Sequence, residues 1–387
     1  MNNRSRAPLA TLSFGNLVIG TGTLIIAGLL NEMAADLQTS ITAIGQLITG
    51  YALAVCFGAP ILAGLTSRME RHTLLIAALV IFAAGHLLAA VAPGYGTLMV
   101  LRVATGFGAA IFTPQAAATA GLLVPPEQRG RAIATVFLGF SVATVLGVPL
   151  GTYLGGHFGW RAALAMVGGL SVLCAVMLYI QLPKQLTVEP INLAAWRDVS
   201  TNSTLLLVIA TTVVQACAQF VLFAYISPAF KHFIAASPAT ISLLFMWFGV
   251  CGVIGNSVAG PMMDRVGTQR VVAISIGLML AGFLVWPLAH GSLAIVVAAC
   301  GLWGLGCFAI NSAQQARLVG LATHLAPVSI ALNSSGIYLG QAFGAMVGGL
   351  VIAREGMDAL SWVGAVIFVL ALGTSYAAQG RVQLARQ

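Results

Sequence analysis

The placing of its charges constrains this chain more than any other feature. Lys and Arg number 17 and Asp and Glu nine among 387 residues. The stretches Ala7–Asn31, Leu37–Ser67, Ala132–Trp160, Val199–Phe230, His232–Met263 and Leu318–Ala353 carry no formal charge, and no acid lies deep inside an apolar run. A water-soluble fold needs a charged skin, which such stretches cannot supply. Mean hydropathy is +0.99. A bilayer core about 30 Å thick takes roughly 20 apolar residues per helix. Backbone polar groups in lipid must be satisfied internally, which leaves helices or a closed barrel. A barrel would show alternating strands of about ten residues. The runs here are long and continuous, so the expected class is an all-α integral membrane protein. The 44 glycines suit helices that pack closely in lipid.

Loop-forming clusters divide the runs into twelve spans: 9–30, 43–65, 74–92, 97–121, 132–154, 161–182, 204–227, 239–262, 271–289, 293–318, 328–352 and 358–379. Arg4 and Arg6 precede a run of spanning length followed by many more, so no cleaved signal peptide is expected. Lys and Arg then set the orientation. With the N-terminus inside, the inner loops and tails hold Arg4, Arg6, Arg68, Arg71, Arg129, Arg131, Lys184, Arg197, Arg265, Arg270, Arg381 and Arg386, with Arg317 at the inner end of span 10. The outer loops hold only Arg161, Lys231 and Arg354. Both termini are therefore expected in the cytoplasm. The net charge of +8 follows from this bias; no basic stripe is interleaved with aromatics, so no nucleic-acid partner is expected. The six cysteines all fall in apolar runs without ligand spacing and read as small buried hydrophobes. Neither a metal nor a cofactor is expected.

The longest polar connection, Pro183–Ser203, contains Lys184, Glu189, Pro190, Arg197 and Asp198. It suggests an N-terminal six-helix bundle over 1–182, a cytoplasmic central loop over 183–203 and a C-terminal six-helix bundle over 204–387. The halves repeat. Span 5 has glycines at 147, 151, 155 and 156, and span 11 has them at 340, 344, 348 and 349. The loop after span 2, Gly64-Leu65-Thr66-Ser67-Arg68-Met69-Glu70-Arg71, corresponds to Gly260-Pro261-Met262-Met263-Asp264-Arg265-Val266-Gly267 after span 8. Two six-span repeats are an architecture of transporters that rock one half against the other.

These residues resemble the major facilitator superfamily. Gly260 to Gly267 is similar to its inner-loop signature, G-x-x-x-D-R-x-G. Arg102-x3-Gly106-x-Gly108 in span 4 resembles the signature of proton-coupled members. Leu146-Gly147-Val148-Pro149-Leu150-Gly151, with Gly159-Trp160-Arg161 beyond it, resembles the antiporter signature of bacterial drug and metabolite exporters, a branch that holds sugar efflux permeases, purine exporters and chloramphenicol exporters. The resemblance implies two pseudo-symmetric bundles, a bacterial inner-membrane location, and export of a small organic molecule by alternating access with proton antiport. A monomer in the lipid bilayer is expected. The chain departs from the pattern at Ser67, where Asp is usual, and at Glu70, where Gly is usual. Thr23 stands where this branch often carries an acid. A membrane acid is the usual proton carrier, so an uncoupled facilitator stays open beside coupled export.

Asn and Gln gather on spans 1, 2, 4, 7, 8, 10 and 11 and are nearly absent from spans 3, 6, 9 and 12. The resemblance makes the latter set lipid-facing scaffold. Gln215 and Gln219 share a helix face, as Asn311 does with Gln314 and Gln315. Gln115, Gln215, Gln219, Asn311, Gln314 and Gln341, with the aromatics Phe112, Tyr225 and Tyr338, are the candidate substrate contacts; interhelical hydrogen bonding is the alternative for each. Coupling and gating candidates are Arg102, Glu32, Asp36 and His86 toward the outer side, Arg68, Asp264 and Arg265 at the inner gate, and Gly147, Pro149 and Gly151, through which span 5 is expected to pack on span 8.

An intramembrane enzyme would need clustered histidines and acids, whereas His72, His86, His157, His232, His290 and His324 are scattered along the sequence. A transport-dead receptor has no sensory domain to support it. The topology predicts that single cysteines at Arg197 and Lys231 label from opposite faces of the membrane; labelling of both from one side refutes it.

Overall fold

A computed structural model describes residues 3–184, 186, 193–322 and 325–384 of the chain. Glu189, Pro190, His324 and Arg386, named above, lie outside the described residues. Every regular element among the described residues is helical. The first half runs α1 (Asn3–Asp36), α2 (Ile41–Leu65), α3 (Arg71–Ala90), α4 (Tyr95–Leu122), α5 (Arg129–Val142), a π turn (Ala143–Gly147), α6 (Val148–Phe158) and α7 (Trp160–Gln181). The second half runs α8 (Leu193–Thr201), α9 (Ser203–Phe223), α10 (Ile226–Ile234), α11 (Pro238–Val266), α12 (Thr268–Val285), α13 (Leu293–Leu321), α14 (Ala326–Glu355) and α15 (Ala359–Leu384). Among the described residues twelve helices are long and apolar enough to cross a membrane. They correspond to the twelve expected spans, with α5, the π turn and α6 together forming the fifth.

Three details differ from the expected loops. The central connection contains α8, whose Val199 is fully buried in an apolar cluster with Leu205, Val208, Leu318 and Val328. Asn202 then caps α9, its Oδ1 accepting from the amides of Thr204 and Leu205 at 3.1 Å each. The seventh span stops at Phe223, and the next residues form α10 as a separate short helix. The signature Gly260–Gly267 is mostly helix: α11 runs through Asp264 and Arg265 to Val266 and ends at Gly267, whose φ of +86° excludes most other residues.

The chain packs as two compact units, Met1–Pro190 with Pro238–Met246, and Ile191–Ser237 with Trp247–Gln387. In the first unit α3 packs on α4 and α7, α2 on α4, and α1 along α5, α6 and α7. In the second, α9 packs on α14 and α15, and α12 on α13 and α15. The outward faces of α3, α7, α12 and α15 carry exposed apolar side chains, among them Val80, Leu88, Val172, Ile180, Ile274, Val366 and Leu370. A groove between α3 and α7, lined by Ile76, Val80, Leu87, Val172 and Tyr179, is likewise apolar.

Each glycine ladder lies along the first long helix of its own unit, α1 or α9. A Cβ added at Gly147, Gly151 or Gly155 would meet the side chain of Thr21, Ile25 or Leu29 of α1 respectively. This corrects the expectation that the first ladder faces span 8. Four-residue spacing marks a stripe for close approach but does not name the partner. Contact with the start of α11 falls to neighbouring groups instead: a Cβ at Gly156 would meet Pro238, and the Pro149 carbonyl accepts from Ser242 Oγ at 2.7 Å. In the second unit the stripe meets backbone. A Cβ at Gly340, Gly344 or Gly348 would strike the carbonyl oxygen of Val213, Cys217 or Val221 of α9. Gly344→Ala should therefore lower the detergent melting temperature clearly more than Gly151→Ala, because a backbone carbonyl cannot swing aside as the end of Ile25 can. Overpacking of this kind costs about 1–3 kcal/mol. Equal melting temperatures for the two variants would refute this account of the ladders.

Candidate functional site

Two groups of buried polar side chains in the first unit meet α1 at different levels. At the lower one, Asn16 is fully buried, donates through Nδ2 to the Val136 carbonyl at 3.1 Å and accepts from Thr113 Oγ1 at 3.0 Å. At the upper one, Arg102 of α4 lies across α1 and α2. Its Nη1 donates to the Gly22 carbonyl at 3.0 Å, and its guanidinium sits 4.4 Å from the centre of the Tyr51 ring. The Tyr51 hydroxyl and Thr23 Oγ1 share a hydrogen bond of 2.6 Å. Arg102 is only 1% exposed, which excludes snorkelling to the membrane surface. Its Nε and Nη2 have no hydrogen-bond partner among the described residues. The carbonyl dipole and the π face of Tyr51 offset part of the cost of burying this charge. His86 belongs to the same neighbourhood. Its Nδ1 approaches the Phe82 carbonyl at 2.9 Å, its ring packs 4.3 Å from Phe82, and a Cβ at Gly22 would come within 2.8 Å of its Nε2.

The sequence points to Thr23, His86 and Arg102 separately; the structure brings them together around Tyr51. Phe112 is fully buried against Gly15 of α1. Gln115 accepts a hydrogen bond from Arg71 Nη1 at 2.5 Å, so a helix-start arginine holds this candidate substrate amide. The acids at the end of α1 have separate surroundings. Asp36 pairs with Arg161 and accepts from Trp160 Nε1 at 3.0 Å, and Arg161 lies 4.3 Å over the Trp160 ring. The Gly159-Trp160-Arg161 segment thus staples α7 to α1. Glu32 is half-buried and is engaged within the protein. At the other end of the bundle Arg68 is exposed.

In the second unit a polar seam runs along α9 toward α13 and α14. Gln219 Oε1 accepts from Cys307 Sγ at 3.2 Å and, more loosely, from Trp303 Nε1 at 3.5 Å. Gln314 Nε2 donates to the Val208 carbonyl and to Thr212 Oγ1, each at 3.1 Å, and Thr212 donates to Asn333 Oδ1 at 2.6 Å. Asn311 Nδ2 reaches the Cys307 carbonyl at 3.4 Å. The side-chain carbonyls of Gln215 and Gln314 are buried with no hydrogen-bond partner among the described residues. Such acceptors are costly to leave unmet in an apolar interior. Gln341 is buried on α14, and Tyr338 is half-buried. Tyr225 lies apart from the seam: it is fully buried between α9 and α10, donates to the Ala345 carbonyl at 2.9 Å and packs on Gly348. Asp264 and Arg265 are exposed at the end of α11.

Thr212, Trp303 and Cys307 were not singled out from the sequence, because an apolar run gives no cue that a threonine or cysteine faces an amide. The histidines are less scattered in space than along the chain: His232 and His290 meet at Asp358.

The comparisons with known proteins agree with this architecture. The family profile described as the Major Facilitator Superfamily matches residues 12–234 and 208–381. The inner membrane transport protein YdhP of Escherichia coli O157:H7 is 33% identical over 366 residues, covering 94% of each chain. The MFS-type transporter YtbD of Bacillus subtilis strain 168, whose own role is uncharacterised, is 32% identical over 376 residues, covering 95% of this chain and 94% of that one. The crystal structure of a D-xylose–proton symporter superposes with a TM-score of 0.78 at 18% identity, covering 96% of this chain and 97% of that one, which is a likeness of fold. This twelve-span chain is a membrane transport protein rather than an enzyme, and it belongs to the Major Facilitator Superfamily.

Proposed function

We propose that this transporter exports a small, neutral organic molecule from a bacterial cytoplasm by alternating access, and that a proton entering in exchange drives it. The observation that carries the substrate class is the amide seam of the second unit. Gln215 and Gln314 each present a buried side-chain carbonyl without a protein donor. An export substrate with hydroxyl or amide donors satisfies such acceptors. Pockets for small organic ligands combine apolar walls with a few placed polar groups in this way. Sugars, nucleosides and phenicol-type drugs have this character. A strongly cationic substrate is disfavoured: no acid lies deep in a span, and Arg102 is a fixed buried positive charge.

In the proposed orientation both termini are cytoplasmic, as the Lys and Arg bias requires. The halves 1–182 and 204–387 would move about the central segment as two bodies, with Arg68, Asp264 and Arg265 at the inner gate and Gly147, Pro149 and Gly151 shaping the fifth span. The transporter would act as a monomer.

Uncoupled facilitation is the second reading, and one observation favours it. At the level where a proton-carrying acid would serve, Thr23 and Tyr51 form a neutral pair beside Arg102. Proton coupling would then fall to Glu32, Asp36 and His86, with Arg102 adjusting them. All three are engaged within the protein: Asp36 with Arg161, His86 with the Phe82 carbonyl, and Glu32 within its own surroundings.

Substrates can be found by thermal shift of the purified protein against neutral amphiphiles, and transport then measured in proteoliposomes. Gln215→Ala and Gln314→Ala should each raise KM about tenfold, the loss of roughly one hydrogen bond. Unchanged KM in both would remove the seam from the substrate path. Coupling is read by imposing a pH gradient on the same vesicles. Proton antiport predicts concentrative uptake that is lost when Glu32→Gln, Asp36→Asn and His86→Ala are combined. Gradient-driven uptake that survives the triple variant eliminates this set, and wild-type transport that only equilibrates substrate establishes facilitation.

A further inference from the structure

His232, His290 and Asp358 come from three different connections of the second unit: the end of α10, the turn between α12 and α13, and the turn between α14 and α15. All three are exposed. His290 Nε2 lies 2.9 Å from Asp358 Oδ1, and His232 Nε2 lies 3.3 Å from each oxygen of the same carboxylate. The potential ligand atoms all fall within 4.8 Å of one another. We propose that this cluster is a binding site for a divalent transition metal ion of the zinc type, which clamps the three connections together.

The chemistry of the donors selects the ion. Two imidazole nitrogens and one carboxylate oxygen suit Zn²⁺, Ni²⁺ or Cu²⁺, whereas Mg²⁺ and Ca²⁺ prefer sets made of oxygen alone. Three protein ligands with a fourth position left to water is a common arrangement for zinc. Bonds of about 2.0–2.2 Å in a tetrahedron hold ligand atoms roughly 3.3–3.6 Å apart. The histidine–carboxylate distances are already near that spacing, so binding requires mainly that the two imidazoles turn their nitrogens toward a common point.

The surroundings hold the ligands in place before any ion arrives. The Gly291 amide donates to the Phe233 carbonyl at 2.8 Å, which fastens the His290 turn to α10. Gly291 adopts a φ of +69°, so that turn depends on glycine. The His290 ring packs 4.4 Å from the Phe233 ring and 5.7 Å from that of His232, while Phe233 itself is buried against Trp286. Asp358 stands in the three-residue turn between α14 and α15, where the Leu360 amide donates to the Met357 carbonyl at 3.2 Å. Nothing in this proposal depends on the transport reading or on the membrane orientation.

Untagged, chelator-treated protein in detergent provides the test. Titration with Zn²⁺ in a calorimeter should show one ion per chain and should raise the melting temperature, since an ion that binds only the folded state stabilises it by mass action. His232→Ala, His290→Ala and Asp358→Asn should each weaken binding tenfold or more. His157→Ala should leave binding unchanged; His157 is an exposed histidine stacked on Tyr153 in the other unit. Co²⁺ in place of Zn²⁺ should give the visible absorption of a low-coordinate nitrogen–oxygen site, and that absorption should vanish in His290→Gln even where an alanine variant folds poorly. Absence of a one-to-one isotherm, or binding that all three ligand variants leave intact, would overturn the assignment and leave a hydrogen-bonded histidine–aspartate surface cluster.

Discussion

Hydrocarbon offers a peptide group no hydrogen-bond partner, so each span must satisfy its own backbone before it satisfies anything else. Most of the structure depends on that constraint. It produces the helices, and it removes the ordinary means of holding them together, because lipid tails are as apolar as leucine. What remains is close approach and buried polar contact. The glycine stripes on α6 and α14 supply the first, and Asn16, Arg102, Gln219 and Gln314 supply the second. The two devices are complementary: glycine brings α9 and α14 near enough for the short Thr212 to reach across to Asn333.

The buried Arg102 is the most demanding of these contacts. A guanidinium keeps its charge at any pH the protein meets. The protein answers it with a carbonyl and the face of an aromatic ring, and leaves two nitrogens without hydrogen bonds among the described residues. In the second unit Arg317 is treated differently, both terminal nitrogens being bound by Ser375. An arginine bound through both terminal nitrogens is a structural strut. One left partly unmet still exerts a field on its neighbours.

The number of spans was legible from the sequence because charge and hydropathy both act over twenty residues at a time. Features set by single contacts were not. The break before α10 falls inside an apolar run that continues to Lys231, so hydropathy carries the seventh span past the turn at Ala224 and Tyr225. The stripe of Gly147, Gly151 and Gly155 announced a close neighbour without saying which helix it was. The candidate amides were found by type and spacing, yet their partners come from far along the chain: Gln115 is held by Arg71, and Gln219 by Cys307. His232, His290 and Asp358 have no sequence pattern at all, since they meet only because alternate connections return to the same end of a bundle.

The two glycine stripes also place different demands on the residues opposite them. In the fifth span Gly147, Gly151 and Gly155 each face a side chain, so the size of Thr21, Ile25 or Leu29 is part of the fit. A larger residue in the stripe can be matched by a smaller one across from it, and the pair can drift together over generations. On α14 Gly340, Gly344 and Gly348 each face a peptide carbonyl, which is the same whatever residue carries it. Val213, Cys217 and Val221 are then free to change with little effect on that contact, while no exchange among them can make room for a substitution at Gly340, Gly344 or Gly348. One interface is a negotiation between two residues, and the other a fixed condition imposed on one.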